Sequence, residues 1–170
     1  FVWADTDNKK LTLNHTSDNA NISADISSGS EGLGKINVLN GTTFLSGDNS
    51  GFSGEVKIAK SATLGVTQNL GTANISNSGK LLLNAQDDMV FGNKVSGSGI
   101  ISVGAGSVTL SGDNSTFKGK INVESGATAT VSDKKNLGSA GLSVAGKLQL
   151  NSTSDWLFNS YLSGSGILGV

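Results

Sequence analysis

The chain contains no cysteine, no proline and no arginine, and it has a single histidine, His15. Without cysteine there is no disulfide scaffold, and with one histidine there is no ordinary structural zinc site. All 12 basic residues are lysines and the net charge is −1, so no arginine cluster or overall basic footprint points to nucleic acid. Apolar runs are short, as in Leu81-Leu82-Leu83, and nothing is long enough to span a membrane as a helix. No basic stretch followed by an apolar core opens the sequence, so no secretory signal is read in this segment. The lack of cysteine fits an exported bacterial protein and a cytosolic one equally. Charged residues make up 15%, against about 25% in average globular chains.

What is present is small and polar. Gly 24, Ser 26, Asn 17 and Thr 13 account for 80 of the 170 residues. Such a composition often belongs to disordered chains. Here, however, the apolar residues alternate in short runs, as half-buried strands require. Leu11 and Leu13 flank Thr12, Ile36 and Val38 flank Asn37, Val56 and Ile58 flank Lys57, Ile121 and Val123 flank Asn122, and Leu148 and Leu150 flank Gln149. Gly, Ser, Asn or Asp bounds each run, and helical spacing is nowhere sustained. The reading is a single all-β unit over 1–170.

The sequence repeats. Residues 32–49, GLGKINVLNGTTFLSGDN, match residues 97–114, GSGIISVGAGSVTLSGDN, at an offset of 65, which becomes 67 after an insertion around Asp133 to Lys135. Asn69-Leu70-Gly71 then matches Asn136-Leu137-Gly138, SGKLLLN at 78–84 matches AGKLQLN at 145–151, and Asp88-Met89-Val90-Phe91 matches Asp155-Trp156-Leu157-Phe158. The organisation is a partial repeat 1–31, repeats 32–96 and 97–163, and the start of another at 164–170. Partial copies at both ends lead to the expectation that the segment belongs to a longer protein.

A unit of this size holds about seven short strands, which fits a β-solenoid or a β-sandwich or propeller. Absent proline suits uninterrupted ladders, small polar residues suit corners, and small insertions suit loops that leave a stack intact. The solenoid is therefore favoured, with three turns of about 22 residues per repeat and roughly eight turns in all. At ~4.8 Å per turn that is a rod about 37 Å long.

The run from Gly97 through Gly104-Ala105-Gly106 and Ser111-Gly112-Asp113-Asn114 to Gly119, then a strand, Asn-Leu-Gly and a GxL strand, resembles the passenger-associated repeat of bacterial autotransporters. Copies at 32–84 and 97–151 carry it, although Phe52 and Phe117 stand three residues after the Asn rather than next to it. The resemblance implies a right-handed parallel β-helix, carried through the outer membrane of a Gram-negative bacterium by a C-terminal barrel absent from this segment and displayed at the cell surface. It implies roles in adhesion, self-association or biofilm formation, and as stalk and folding template. The implied partners are a host-surface or matrix receptor, or another copy.

Catalysis has little to build on. β-Helical polysaccharide lyases and hydrolases, the alternative function, need a basic residue with clustered acids or several close carboxylates. Here the 13 acids are dispersed, and the one adjacent pair, Asp87-Asp88, reads as a turn before a strand, its side chains expected on opposite faces. His15 reads as an exposed loop residue, and no nucleophile-elbow sequence accompanies it. The repeated corners Ser46-Gly47-Asp48-Asn49 and Ser111-Gly112-Asp113-Asn114 read as Asx turns rather than cation sites, which would need six to eight oxygens. Phe52 with Phe117, and Phe91 with Phe158, read as core aromatics. Trp3 stands outside the register. No catalytic residue, metal or other cofactor is assigned. Six Asn-x-Ser/Thr sites, at Asn14, Asn21, Asn40, Asn74, Asn114 and Asn151, carry no weight in a bacterial context.

Overall fold

In the computed structural model, residues 10–29 and 34–170 are described; Trp3, Gly32 and Leu33 lie outside them. Among the described residues, seventeen strands and one three-residue 3-10 helix, Lys134–Asn136, make up the regular structure. Every strand pairing is parallel. The chain is a β-solenoid of about seven turns.

Three ladders form its sides. The first stacks Lys10–Asn14, the start of Lys35–Leu45, Glu55–Ile58, Asn74–Asn77 and Val95–Gly97. The second stacks Ala20–Ile22, the end of Lys35–Leu45, Ala62–Val66, Lys80–Asn84, Ile100–Ala105, Lys120–Val123, Gly141–Val144 and Leu162–Ser163. The third stacks Met89–Phe91, Ser107–Leu110, Thr128–Val131, Lys147–Leu150 and Ile167–Gly169.

Register gives the length of a turn. Lys35 lies against Glu55, Glu55 against Asn74, and Ile75 against Val95. From Lys35 onward successive turns are thus about 20 residues long, not 22, whereas the first, which sets Lys10 against Lys35, is longer. The sequence repeat is longer than three such turns. Lys35 stands on the first side, but its equivalent 65 residues on, Ile100, stands on the second. Likewise Ala62–Val66 is on the second side and its equivalent Thr128–Val131 is on the third. One repeat is three turns and one side, so each copy is rotated by one side against the last.

The interior follows from period-two alternation. Ile36, Val56, Ile75 and Val95 stack one above another, as do Leu81, Ile101, Ile121 and Leu142, all at most 2% exposed. Each such side chain contributes about 1.5–3 kcal/mol of transfer free energy. The Asn-Leu-Gly corners end in Gly71 and Gly138, at φ 55° and 62°, with their leucines buried beneath. A Cβ at Gly71 would meet the Phe52 carbonyl oxygen, and one at Gly138 the Asn114 carbonyl oxygen, so both copies need glycine there.

Phe52, Phe117 and Phe91 are buried in the core. Phe158 is not: it is half-buried, with its ring edge-on to Trp156 at 5.8 Å. Rotation of the repeat explains the difference. Met89–Phe91 joins the third ladder, whereas its equivalent falls on the first side, where the upper turns carry no strand. His15 also departs from expectation. It is half-buried, its Nδ1 accepts the Ser17 amide at 3.1 Å, and its Nε2 lies 2.7 Å from Thr43 Oγ1. The following strand, one turn up, supplies that partner, which the local sequence does not reveal.

Candidate functional site

The two repeated corners divide their work between an outward Asp and an inward Asn. Asp48 Oδ1 accepts the Ser50 amide at 3.0 Å, and Asp113 Oδ1 accepts the Ser115 amide at 3.1 Å and the Ser115 hydroxyl at 2.6 Å. Both are Asx turns. Asp48 Oδ1 also accepts the Asn69 side-chain amide of the next turn at 3.0 Å. The Asn69 bond, followed by those from Ser50, holds the Asp48 carboxyl below its usual range. For Asp113 the Ser115 hydroxyl is the largest cause, followed by the Ser115 amide, with Lys94 and Lys135 adding a smaller pull. These oxygens are occupied by local donors, and no cluster of three metal-ligating side chains occurs among the described residues.

The inward asparagines form a buried ladder. Asn49 Oδ1 accepts the Ile26 amide at 2.9 Å, and its Nδ2 donates to the Gly47 carbonyl at 3.2 Å. Asn93 Nδ2 donates to the Leu70 and Ala73 carbonyls. Asn114 Oδ1 accepts the Val95 amide, and its Nδ2 donates to the Asn136 carbonyl, both at 2.8 Å. Asn136 Nδ2 donates to the Gly112 carbonyl at 3.0 Å. Each amide satisfies backbone groups that a corner would otherwise bury unpaired, so the ladder is structural.

The feature best placed to meet another molecule is a groove of about 590 Å³ on the outer face of the first side. Outward positions of successive turns line it: Lys10, Lys35, Glu55, Asn74 and Lys94 along one row, Asn37, Lys57, Ser76 and Ser96 along the next. Four cations face one carboxylate. Lys35 Nζ lies 3.7 Å from Glu55 Oε2, both side chains well exposed. A pair this exposed is worth about 0–1 kcal/mol and leaves both groups available. A net charge of −1 therefore hides a local excess of positive charge. The signal was in the sequence, since 20-residue spacing aligns Lys35, Glu55 and Lys94, but a 22-residue turn scatters them. Of the polar residues that apolar neighbours flank, Lys57 and Thr12 are exposed, while Asn122 and Gln149 are half-buried.

Carboxylates do not gather in this groove. Glu55 is the one acid in the groove. Asp87 and Asp88 do not split between two faces; both are exposed in a loop and line one hollow of about 340 Å³ with Thr67, Gln68 and Gln86. The loop has no strand alternation to separate them.

No family model matches the chain, and no solved structure matches it significantly. Among curated proteins it is similar to an uncharacterized lipoprotein of Escherichia coli K12, YdeK, with 37% identity over 139 residues, 79% of this chain and 10% of the relative. It is similar also to an uncharacterized protein of the same strain, YuaQ, with 36% identity over 109 residues, 63% of this chain and 8% of the relative. The chain thus spans about a tenth of the length of the relatives it matches, and the likeness joins it to one short stretch of two much larger proteins.

Proposed function

We propose that the chain is a rod-like interaction segment of an envelope protein, displayed on the outer side of a Gram-negative bacterium. It supports adhesion or self-association and serves as stalk and folding template for neighbouring turns. The observation that carries this reading is the division of the rod's surface. Inward and corner residues repeat between the copies, while outward rows present Lys, Asn, Ser and Thr turn after turn, a geometry suited to many weak contacts acting in parallel. The passenger type of display is supported by the resemblance of the two SGDN copies. Membrane anchoring is supported by the lipoprotein name of one relative, which belongs to a far longer chain. The polysaccharide-degrading alternative gains nothing from the groove, which holds a single carboxylate where such chemistry needs clustered acids.

The test is display. Beads or cells coated with the 170-residue chain should clump with one another, or attach to epithelial cells or matrix, more than beads coated with an unrelated protein of equal charge. Equal behaviour of the two coatings in both assays refutes the reading.

A further inference from the structure

We propose that the groove on the first side binds a linear acidic polysaccharide, its carboxylate or sulfate groups meeting the lysines turn by turn. Charge complementarity selects the ligand class. Lys10, Lys35, Lys57 and Lys94 face the groove, Glu55 is the one carboxylate in its lining, and Asp113 outside the lining acts weakly on Lys94. Among the described residues, Lys10 and Lys57 have no carboxylate within 4 Å, and Glu55 reaches Lys35 alone.

Shape selects a chain rather than a small ion. The groove runs along the stacking direction across five turns, about 19 Å at ~4.8 Å per turn. Its flanking Asn37, Asn74 and Ser76 offer donors and acceptors suited to sugar hydroxyls. Nucleic acid is the weaker fit, because the lining has no aromatic ring on which bases would stack and the chain has no arginine. A protein partner is also weaker, since Trp, Tyr and Arg anchors of tight protein interfaces are absent from the lining.

The copies add an independent argument. In the second repeat Lys35, Lys57 and Lys94 are replaced by Ile100, Asn122 and Tyr161, and Glu55 by Lys120. The inward neighbours Ile36, Val38 and Val56 keep their character as Ile101, Val103 and Ile121. The fold therefore does not require the groove lysines. This inference does not depend on display or clumping, and glycan binding by a chain that fails to aggregate would leave it standing.

The experiment titrates the 170-residue chain into fluorescein-labelled polygalacturonate, dextran sulfate, neutral dextran and single-stranded DNA. Saturable binding to at least one acidic polysaccharide, tighter than to DNA and absent with neutral dextran, is expected, and the tighter arm identifies uronate or sulfate as the preferred group. Lys35→Gln, Lys57→Gln and Lys94→Gln should each weaken it about two- to fivefold, and together on the order of tenfold or more. Glu55→Gln should tighten it, and Lys134→Gln and Lys147→Gln, outside the groove, should change it little. Far-UV circular dichroism and thermal midpoints of the variants should match the parent. No binding to either acidic polysaccharide, equal binding to neutral dextran, DNA binding at least as tight, or equal loss from the groove and remote lysines overturns the proposal.

Discussion

The two copies of the repeat make a controlled comparison within one molecule. The lower copy, 32–96, begins on the first side and carries its ladders on the first and second, reaching the third only with Met89–Phe91. The upper copy, 97–163, begins on the second and carries its ladders on the second and third. The same pattern is therefore read in two orientations against a common core. What survives the rotation is inward or at corners: the apolar alternation, the buried Asn of SGDN, and the positive-φ glycines Gly71 and Gly138. What changes points outward. A side chain facing the core has the same neighbours whichever side it belongs to, because the interior is a stack of similar layers. A side chain facing solvent is held by nothing common to the two copies. The lysines of the groove are for this reason not repeated in the upper copy, where Ile100, Asn122 and Tyr161 take their places.

The largest test of the comparison is the aromatic core. Phe52 and Phe117 are fully buried equivalents, so Phe52→Ala and Phe117→Ala should each destabilise by about 3–5 kcal/mol. If the rotation leaves the core equivalent, the two values agree within about 1 kcal/mol. Phe91→Ala should fall in the same range, but Phe158→Ala, at a half-buried equivalent, should cost clearly less. Urea midpoints of the four variants check this. A Phe158→Ala loss equal to that of Phe91→Ala would break the claim that the upper copy places this segment off its ladder.

That claim also marks where the sequence was legible. Period-two alternation is local, so the strands around Ile36, Val56, Ile121 and Leu148 were readable, and the repeat's glycines and asparagines identified the corners. The missing proline, the polar corners and the small insertions favoured a solenoid, and parallel stacking was implied by the family resemblance. The turn length was not readable, because the visible period of 65–67 residues contains three turns and one side rather than a whole number. Dividing it by three gave 22, and every inference that needed residues one turn apart inherited the error. The row from Lys35 to Lys94 is such a case, whereas His15 meets Thr43 across a longer first turn that neither spacing would have revealed.

A middle-sized effect separates the buried asparagines. Asn114 joins three turns, accepting from Val95 below and donating to Asn136 above, whereas Asn49 accepts from Ile26 and donates within its own loop. Asn114→Ala leaves the Val95 amide and the Asn136 carbonyl without this partner and should cost about 1–3 kcal/mol. Asn49→Ala should lie at the low end of that range. Reversal of the order in denaturant titrations would show that the contact between turns is not what the ladder contributes.

The smallest effect distinguishes the two aspartates. Asp48 reaches up one turn to Asn69, but Asp113 bonds only to Ser115. The reason is the insertion at 133–135. It forms a short 3-10 turn capped by Asp133, and Asn136, the equivalent of Asn69, is drawn inward to accept the Ser132 and Asp133 amides. Both aspartates titrate below the ordinary 3.8. A depressed folded-state pKa gives stability that is fully present above the unfolded value and is lost as pH falls through the folded one. The rod should therefore weaken slightly as pH drops below about 3.8, and Asp48→Asn and Asp113→Asn should each flatten part of that decline. A double-mutant cycle pairing Asp48→Ala with Asn69→Ala at pH 7 should give a non-zero coupling, and at pH 2.5 a smaller one. The same cycle on Asp113 and Asn136 should give a much smaller coupling that does not change with pH, since the inward-turned Asn136 bonds to the Gly112 carbonyl rather than to the Asp113 carboxylate.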